Sequence, residues 1–150
     1  MTTEEIITAL ERAWNAGDGE AWAAPFAEDA DFVDVVGRIQ RGRATIARES
    51  QNIFDTIYRG STLEIRQVTS RRLGGGFDLV HTTTKLSIPA GPLAGEARAV
   101  QTKLIRAGRI VPQHDPGRYR GVRSPRRGPC RALAPRVGFL IDAVHGTLSA

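Results

Sequence analysis

Three side chains of this sequence could move protons in an enzymatic reaction: Asp34, His81 and His114. Asp34 lies in an alternating strand pattern over residues 31–35, on the same strand face as Phe32. Apolar surroundings raise the pKa of a carboxyl group towards the range of a general base, and a histidine exchanges protons near neutral pH. The three residues therefore predict acid–base catalysis, with Asp34 as the base and His81 or His114 as the proton donor.

Each of these residues also has an ordinary structural interpretation. Asp34 could hydrogen-bond to the backbone of a turn near Gly37, as aspartates in turns commonly do. Histidines that lie far apart in sequence, such as His81 and His114, are more often satisfied residues of a core or its rim than a catalytic pair. Both interpretations stay open on the sequence.

Neither a metal nor a cofactor is expected. The chain has three histidines and a single cysteine, Cys130, without the close spacing of a metal-binding motif. The triple glycine at 74–76 predicts a turn between strands, because a phosphate-binding loop would be followed by a helix. No Gly-x-Gly-x-x-Gly fingerprint for a dinucleotide is present.

Four aromatic residues are candidates for binding a small apolar ligand: Trp14, Phe32, Phe54 and Tyr58. Tyr58 ends the predicted third helix and could offer its hydroxyl group to a ligand. The alternative is that these rings simply fill the core, because buried aromatic side chains dominate ordinary cores.

The pattern around these residues predicts an α+β domain. Thr2 and Glu5 have the spacing of a capping box at the start of a first helix, and Asp18 is placed to cap a short second helix. Apolar spacing predicts a third helix over residues 43–58. Besides the strand at 31–35, period-two patterns predict antiparallel strands over residues 62–73, 77–88, 96–107 and 109–115.

Charge and composition divide the chain into two parts. Residues 1–115 hold 14 Lys or Arg against 15 Asp or Glu, whereas residues 116–150 hold seven Arg against a single acid, Asp142. We therefore expect one folded domain over 1–115 and a poorly ordered Arg/Gly/Pro-rich tail over 116–150. Tyr119 is the only aromatic residue among the tail arginines, so nucleic acid is an unlikely partner.

The amino-terminal stretch is acidic and amphipathic, unlike a signal peptide, and no later stretch has the length of a membrane span. We expect a cytoplasmic protein that does not contact membranes.

The segment AWNAGDGEAWAAPFAEDADFVDVVG, followed by RGRATI and FDTIYRGS, resembles the SnoaL-like proteins of the SgcJ/EcaC type, in the nuclear-transport-factor-2-like superfamily. The resemblance covers about residues 3–115. It implies a cone-shaped fold, in which three N-terminal helices pack against a strongly curved antiparallel sheet, with a pocket at the open end and a homodimer formed through the outer sheet face. Members commonly carry Asn where Asp34 stands and often His where Ser50 stands.

The resemblance also implies a function. The chain would be a small-molecule pocket protein, acting as a cofactor-independent isomerase, cyclase or dehydratase on a small apolar or polyketide-like compound. The order Asp34, His81, His114 is similar to the Asp/His/His arrangement of scytalone dehydratase, by analogy alone. The alternative is a noncatalytic ligand-binding or dimerisation module.

Overall fold

The computed structural model describes residues 1–33 and 38–112. The helices are α1 (Thr3–Ala16), α2 (Gly19–Ala23) and α3 (Arg43–Asp55); the strands are β1 (Asp31–Val33), β2 (Ile39–Arg41), β3 (Thr62–Arg72), β4 (Phe77–Ile88), β5 (Gly95–Arg106) and β6 (Arg109–Ile110). A 3-10 turn at Gly74–Gly76 joins β3 to β4. None of the helices in the described ranges is long and apolar enough to span a membrane. The predicted tail, 116–150, lies outside the described residues.

The first helix begins at the predicted capping box. The backbone N–H of Glu5 donates to Thr2 Oγ1 at 3.2 Å, and the backbone N–H of Thr2 donates to Glu5 Oε2 at 2.7 Å. The helix ends at Gly17, whose φ of 65° is the left-handed conformation that glycine adopts without strain. The capping prediction is confirmed, and it fixes where the apolar face of α1 meets the rest of the domain.

A glycine lets α2 pack closely against α3. The backbone N–H of Gly19 donates to Gln51 Oε1 at 2.9 Å, and Gln51 Nε2 donates to the carbonyl of Gly17 at 3.1 Å. A Cβ atom at position 19 would lie 2.5 Å from the carbonyl oxygen of Ala47, closer than real side chains approach. The α2–α3 contact therefore requires a residue without a side chain at this point.

Four antiparallel strands form the main sheet, in the order β3-β4-β5-β6. The register pairs Thr82 with Gln101 and Val80 with Lys103 across β4 and β5. A bulge between Gln67 and Thr69 interrupts the pairing of β3 with β4. The long antiparallel strands predicted from the sequence are confirmed, within one or two residues at each end.

A small hairpin accompanies this sheet and was not predicted. β1 and β2 pair with each other, and Phe32 faces Gln40 across them. Only the first of these strands is predicted by the sequence, because β2 has three residues and a run that short shows no readable period. The last strand is also shorter than the predicted 109–115: β6 ends at Ile110, and Pro112 has no N–H to continue a ladder.

Side chains of α1 occupy the outer edge of β3. Asn15 Oδ1 accepts the backbone N–H of Leu63 at 2.7 Å, and Asn15 Nδ2 donates to the carbonyl of Leu63 at 3.0 Å. Glu11 Oε2 accepts the backbone N–H of Ile65 at 2.7 Å. A helix thus satisfies backbone groups that a neighbouring strand would otherwise satisfy.

The opposite edge of the sheet is covered by the segment that follows α2. The backbone N–H of Ile110 donates to the carbonyl of Pro25 at 2.9 Å, and the carbonyl of Ile110 accepts the N–H of Ala27 at 2.8 Å. Phe26 forms an isolated parallel bridge with Ile110. This contact ties the start of the β1–β2 hairpin to the end of the main sheet.

The core lies between the helices and one face of the sheet. Alternate residues of β4 are buried on that face: Val80, Thr82, Thr84, Leu86 and Ile88. On β5 the buried residues are Ala97, Gln101, Lys103 and Ile105. Polar side chains thus sit among the apolar ones on the buried face of the two central strands.

Candidate functional site

His81 lies on the outer face of the sheet. Its neighbours on β4, Val80 and Thr82, are both fully buried, and side chains alternate along a strand, so His81 points away from the core. It is half-buried, and its Nδ1 lies 2.9 Å from Oγ1 of Thr102, its register partner on β5. His81 therefore does not meet the predicted ligand-binding aromatic residues, which lie in the core.

The other two predicted catalytic residues, Asp34 and His114, lie outside the described residues. Asp34 directly follows Val33, the last residue of β1, and His114 comes two positions after Pro112. Their assignment as base and proton donor stays a prediction from the sequence.

Three of the four candidate ligand-binding aromatic residues belong to one packed cluster. The Trp14 ring lies 5.0 Å from that of Phe54, 5.3 Å from that of Tyr58 and 5.4 Å from that of Trp22, measured between centroids. Trp14 Nε1 donates to Ser61 Oγ at 3.0 Å, so the buried indole N–H is satisfied. The cluster joins the three helices to the start of β3.

The fourth aromatic residue, Phe32, is buried elsewhere. Its ring packs edge-on against Phe26 at 6.0 Å, and Phe26 bridges to Ile110. Ile110 is in turn the register partner of Ile105 on β5. This chain of contacts places Phe32 towards the end of the sheet where β5 meets β6.

A lysine that no sequence pattern marks as a site residue is the main polar feature of the buried face. Lys103, on β5, is only 2% exposed. Its Nζ donates to Gln101 Oε1 at 2.8 Å and to Thr82 Oγ1 at 3.2 Å, and it makes further interactions besides these two. Gln101 and Thr82 are themselves buried and lie opposite each other across β4 and β5.

Lys103 stands out electrostatically. Among residues 1–33 and 38–112 it is the only charged side chain that is buried; the other buried polar residues there are Gln40, Ser50, Ser61, Thr82, Thr84 and Gln101. Burying a charged group is costly, so such groups are retained where hydrogen bonds or opposite charge compensate them. The sheet therefore carries a polar cluster, Lys103–Gln101–Thr82, on its core side.

Gln40 has another buried polar atom. Its side chain is 6% exposed, and its Oε1 has no hydrogen-bond partner in the described part of the chain. A buried acceptor without a partner costs free energy, and such groups in native proteins call for an explanation. Gln40 lies opposite Phe32 in the β1–β2 hairpin, beside the strand after which Asp34 follows.

Glu96, which lies away from this cluster, has a shifted pKa. The hydrogen bond from Lys85 Nζ to Glu96 Oε1, 2.8 Å long, lowers the pKa of Glu96 below its ordinary value of 4.5. A lowered pKa means that the pair stabilises the fold above the ordinary pKa and that this contribution is lost as the pH falls through the lowered value. Glu96 is exposed, so the pair is screened by solvent.

No group of three or more His, Cys, Asp or Glu side chains in the described ranges could hold a metal ion. Within those ranges, Lys103, Gln101, Thr82 and Gln40 are among the buried residues that offer hydrogen-bonding groups.

Comparison with solved structures supports the fold. The chain is similar to a domain of unknown function with a cystatin-like fold from Nostoc punctiforme, at 26% identity and a TM-score of 0.66, covering 75% of this chain and 76% of that one. It is similar to a hypothetical protein with a ketosteroid isomerase-like fold from Catenulispora acidiphila, in complex with trimethylamine (22% identity, TM-score 0.54, covering 74% and 83%). It is also similar to an LEH-like epoxide hydrolase from M. tuberculosis (20% identity, TM-score 0.50, covering 72% of each chain).

No curated protein matches the sequence. The profile of the SnoaL-like domain matches residues 7–112, which run from the first turns of α1 past the end of β6 and include all of the main sheet. With this match and the cystatin-like α+β fold, the chain belongs to the family of SnoaL-like domains.

Proposed function

We propose that this SnoaL-like domain binds a small, largely apolar molecule between its helices and the buried face of its sheet. It acts there as a cofactor-independent isomerase, cyclase or dehydratase on a polyketide-like or similar compound. Asp34 is the general base, His114 is the proton donor, and Lys103, Gln101 and Thr82 hold the polar group of the ligand. His81, on the other sheet face, has no role in this proposal.

The finer assignments made from the sequence belong to the same proposal. They are the SgcJ/EcaC type within the family, the cone shape with three N-terminal helices and a pocket at its open end, and a cytoplasmic homodimer.

The observation that carries the proposal is the polar cluster on the buried face. Small-molecule sites are mostly apolar and contain a few precisely placed polar groups that orient the ligand. Lys103, with its bonds to Gln101 and Thr82, is such a group on a face otherwise made by Val80, Leu86, Ile105 and similar side chains. Burying a lysine costs free energy, so its presence here supports a use of this face beyond packing.

The structural neighbours favour the same use of the fold. One of them is an epoxide hydrolase, and another, with a ketosteroid isomerase-like fold, holds the small molecule trimethylamine. Domains of this shape thus hold and convert small molecules in other proteins, and we extend that use to this chain by analogy.

The binding step is tested by thermal unfolding in the presence of naphthol, tetralone and emodin as probes. A ligand that binds the folded state raises the unfolding free energy by about 2.7 kcal/mol at a hundred times its dissociation constant, so a binding probe raises the melting temperature with concentration. The proposal is wrong if no apolar aromatic probe shifts the melting temperature.

The variant Gln40→Leu tests whether the probes bind at the proposed site. Removing the buried acceptor is expected to leave the protein as stable as before, or about 1 kcal/mol more stable, because an unsatisfied polar atom disappears. Binding of hydroxylated probes such as naphthol and emodin is expected to weaken. Gln67→Leu, at an exposed position of β3, is the matched control and should leave binding unchanged. Equal weakening in both variants would contradict a site at Gln40.

A further inference from the structure

The inner face of the β1–β2 hairpin has a polar residue where packing alone would place an apolar one. On β2, Gln40 is 6% exposed, whereas its neighbour Ile39 is 58% exposed. Side chains alternate along a strand, so a shift of one residue would bury the isoleucine and expose the glutamine. The observed register therefore buries an amide and exposes an apolar side chain, which packing does not explain.

Backbone hydrogen bonds hold the end of the hairpin in this register. The N–H of Gly42 donates to the carbonyl of Ala30 at 2.8 Å. The N–H of Arg43, where α3 begins, donates to the carbonyl of Glu28 at 3.1 Å. The backbone two and three positions after Gln40 is thus fixed, and the glutamine is buried although its Oε1 has no hydrogen-bond partner among the described residues.

The unpartnered atom of Gln40 is an acceptor in aromatic surroundings. An amide oxygen has lone pairs and no proton, so only a hydrogen-bond donor satisfies it. Phe32 lies directly opposite Gln40 across the hairpin, and its ring packs edge-on against that of Phe26. Directly opposed residues share one face of the strands, with Cβ atoms about 5 Å apart. The partner that fits Gln40 is therefore a donor carried on an apolar or aromatic body.

The same oxygen of Gln40 selects against other oxygen groups of a ligand. A carboxylate or a phenolate has only acceptors, and its negative charge would face the negative end of the amide dipole. An ether or a ketone also leaves Oε1 unsatisfied, and a buried unsatisfied acceptor costs the desolvation free energy of that group. A neutral hydroxyl group supplies the missing proton.

We propose that the ligand of this domain carries a neutral hydroxyl group, as a phenol, enol or alcohol, that donates to Oε1 of Gln40 beside the rings of Phe26 and Phe32. This inference rests on the proposed small-molecule function and adds a second recognised group to the one held at Lys103. Gln40 is then a specificity-determining residue, because it distinguishes a hydroxyl compound from its methyl ether.

The test compares naphthol with its methyl ether, methoxynaphthalene, by isothermal titration calorimetry. The full chain is expected to bind naphthol about 10- to 100-fold more tightly, because the ether leaves the buried acceptor unsatisfied. In Gln40→Met, whose unbranched side chain is close in length to glutamine, this preference should disappear while methoxynaphthalene still binds. Arg41→Met is the matched control: it removes a polar side chain from the exposed face of the same strand and should keep the preference.

The ligand-free stability of the variants tests the unpartnered acceptor separately. Because Oε1 of Gln40 has no partner among the described residues, Gln40→Met is expected to keep the melting temperature of the unmodified chain or to raise it. Gln40→Leu repeats the measurement with a branched side chain, so that a poor fit of one side chain is not mistaken for a lost hydrogen bond. A melting temperature lowered by several degrees in both variants would show that the oxygen has a partner within the chain, and would overturn the inference.

The outcomes separate the two proposals. If any probe binds and naphthol binds no more tightly than methoxynaphthalene, the hydroxyl inference is wrong and the small-molecule function stands. If neither of these two nor any probe named above binds, both proposals are wrong. A naphthol preference retained in Gln40→Met would overturn the inference, because it would arise from the size of the methyl group or from another residue. Loss of the preference in Arg41→Met as well would overturn the assignment to Gln40.

Discussion

At the scale of single residues, the chemistry that the structure displays differs from the chemistry that the sequence highlighted. The histidine at 81 was an obvious candidate by residue type, but strand alternation places it on the outer face. Lys103 is buried on the core side, and nothing in its residue type predicts that position. Apolar residues occur on both faces of β5, Ala97 and Ile105 on one and Leu104 on the other. The sequence therefore could not show which alternate residues of β5 face the core.

The proposed role of Asp34 as the general base can be tested without knowing the natural substrate. Tetralone carries acidic protons next to its carbonyl group, and a general base exchanges them for deuterium in heavy water, as followed by proton NMR. The protein is expected to speed this exchange, and Asp34→Asn to slow the catalysed rate by at least about 100-fold, the usual contribution of a general base.

Asp31→Asn is the matched control for this measurement, because Asp31 is an aspartate three positions earlier in the chain, in β1, and is half-buried. The Asp31→Asn variant should catalyse deuterium exchange at the rate of the unmodified chain. Exchange by Asp34→Asn at the full rate would show that Asp34 is not the base. Tetralone binding without any exchange, even in the unmodified chain, would favour the noncatalytic binding module.

At the scale of helices and strands, the sequence predicted those elements that carry a local signal. The capping box of α1, the cap of α2 at Asp18 and the long alternating strands were all readable because they depend on neighbouring residues. The contacts between elements were not readable. The place of Gly19 against α3, for example, depends on Gln51, more than thirty positions later.

Gly19 gives a stability prediction for the α2–α3 contact. Gly19→Ala puts a methyl group against the backbone carbonyl of Ala47, and overpacking of this kind destabilises by about 2 kcal/mol. Gly74→Ala is the control, since a Cβ at position 74 meets nothing within 4 Å, and it should change the stability by less than about 0.5 kcal/mol. Urea unfolding followed by circular dichroism measures both, and equal midpoints for the two variants would contradict the close approach.

At the scale of the whole molecule, the outer face of the sheet is the surface on which we propose that two copies meet. Val100 is 66% exposed on this face of β5, and Leu79 and Leu104 form a register pair on the same face. Apolar side chains on an otherwise polar sheet face are typical of a protein–protein contact. Among residues 1–33 and 38–112, no side chain covers Val100.

Val100→Lys tests the proposed homodimer. In a two-fold symmetric interface the same patch serves both copies, so one substitution introduces two positive charges into a single contact. The unmodified chain is expected to elute as a dimer in size-exclusion chromatography with light scattering, and Val100→Lys as a monomer. Ile57→Lys, at an exposed position after α3, is the control and should remain dimeric. If the Val100→Lys variant is still a dimer, the interface does not lie at Val100.

The tail gives a prediction about the extent of the domain. The SnoaL-like match ends at residue 112, and the predicted domain ends at 115. A chain shortened after residue 116 is therefore expected to melt at the temperature of the full chain, within a few degrees, by differential scanning calorimetry. An aggregated or unfolded product would show that residues 117–150 are part of the fold.

Parts of both edges of the main sheet are occupied from within the same chain. Asn15 and Glu11 take the backbone groups at the start of β3, and the Pro25–Ala27 segment takes those of Ile110 in β6. Arginines at 66, 71 and 72 line the remainder of β3, and charged side chains there discourage the addition of another strand. At these positions the sheet cannot readily add a strand from a second molecule.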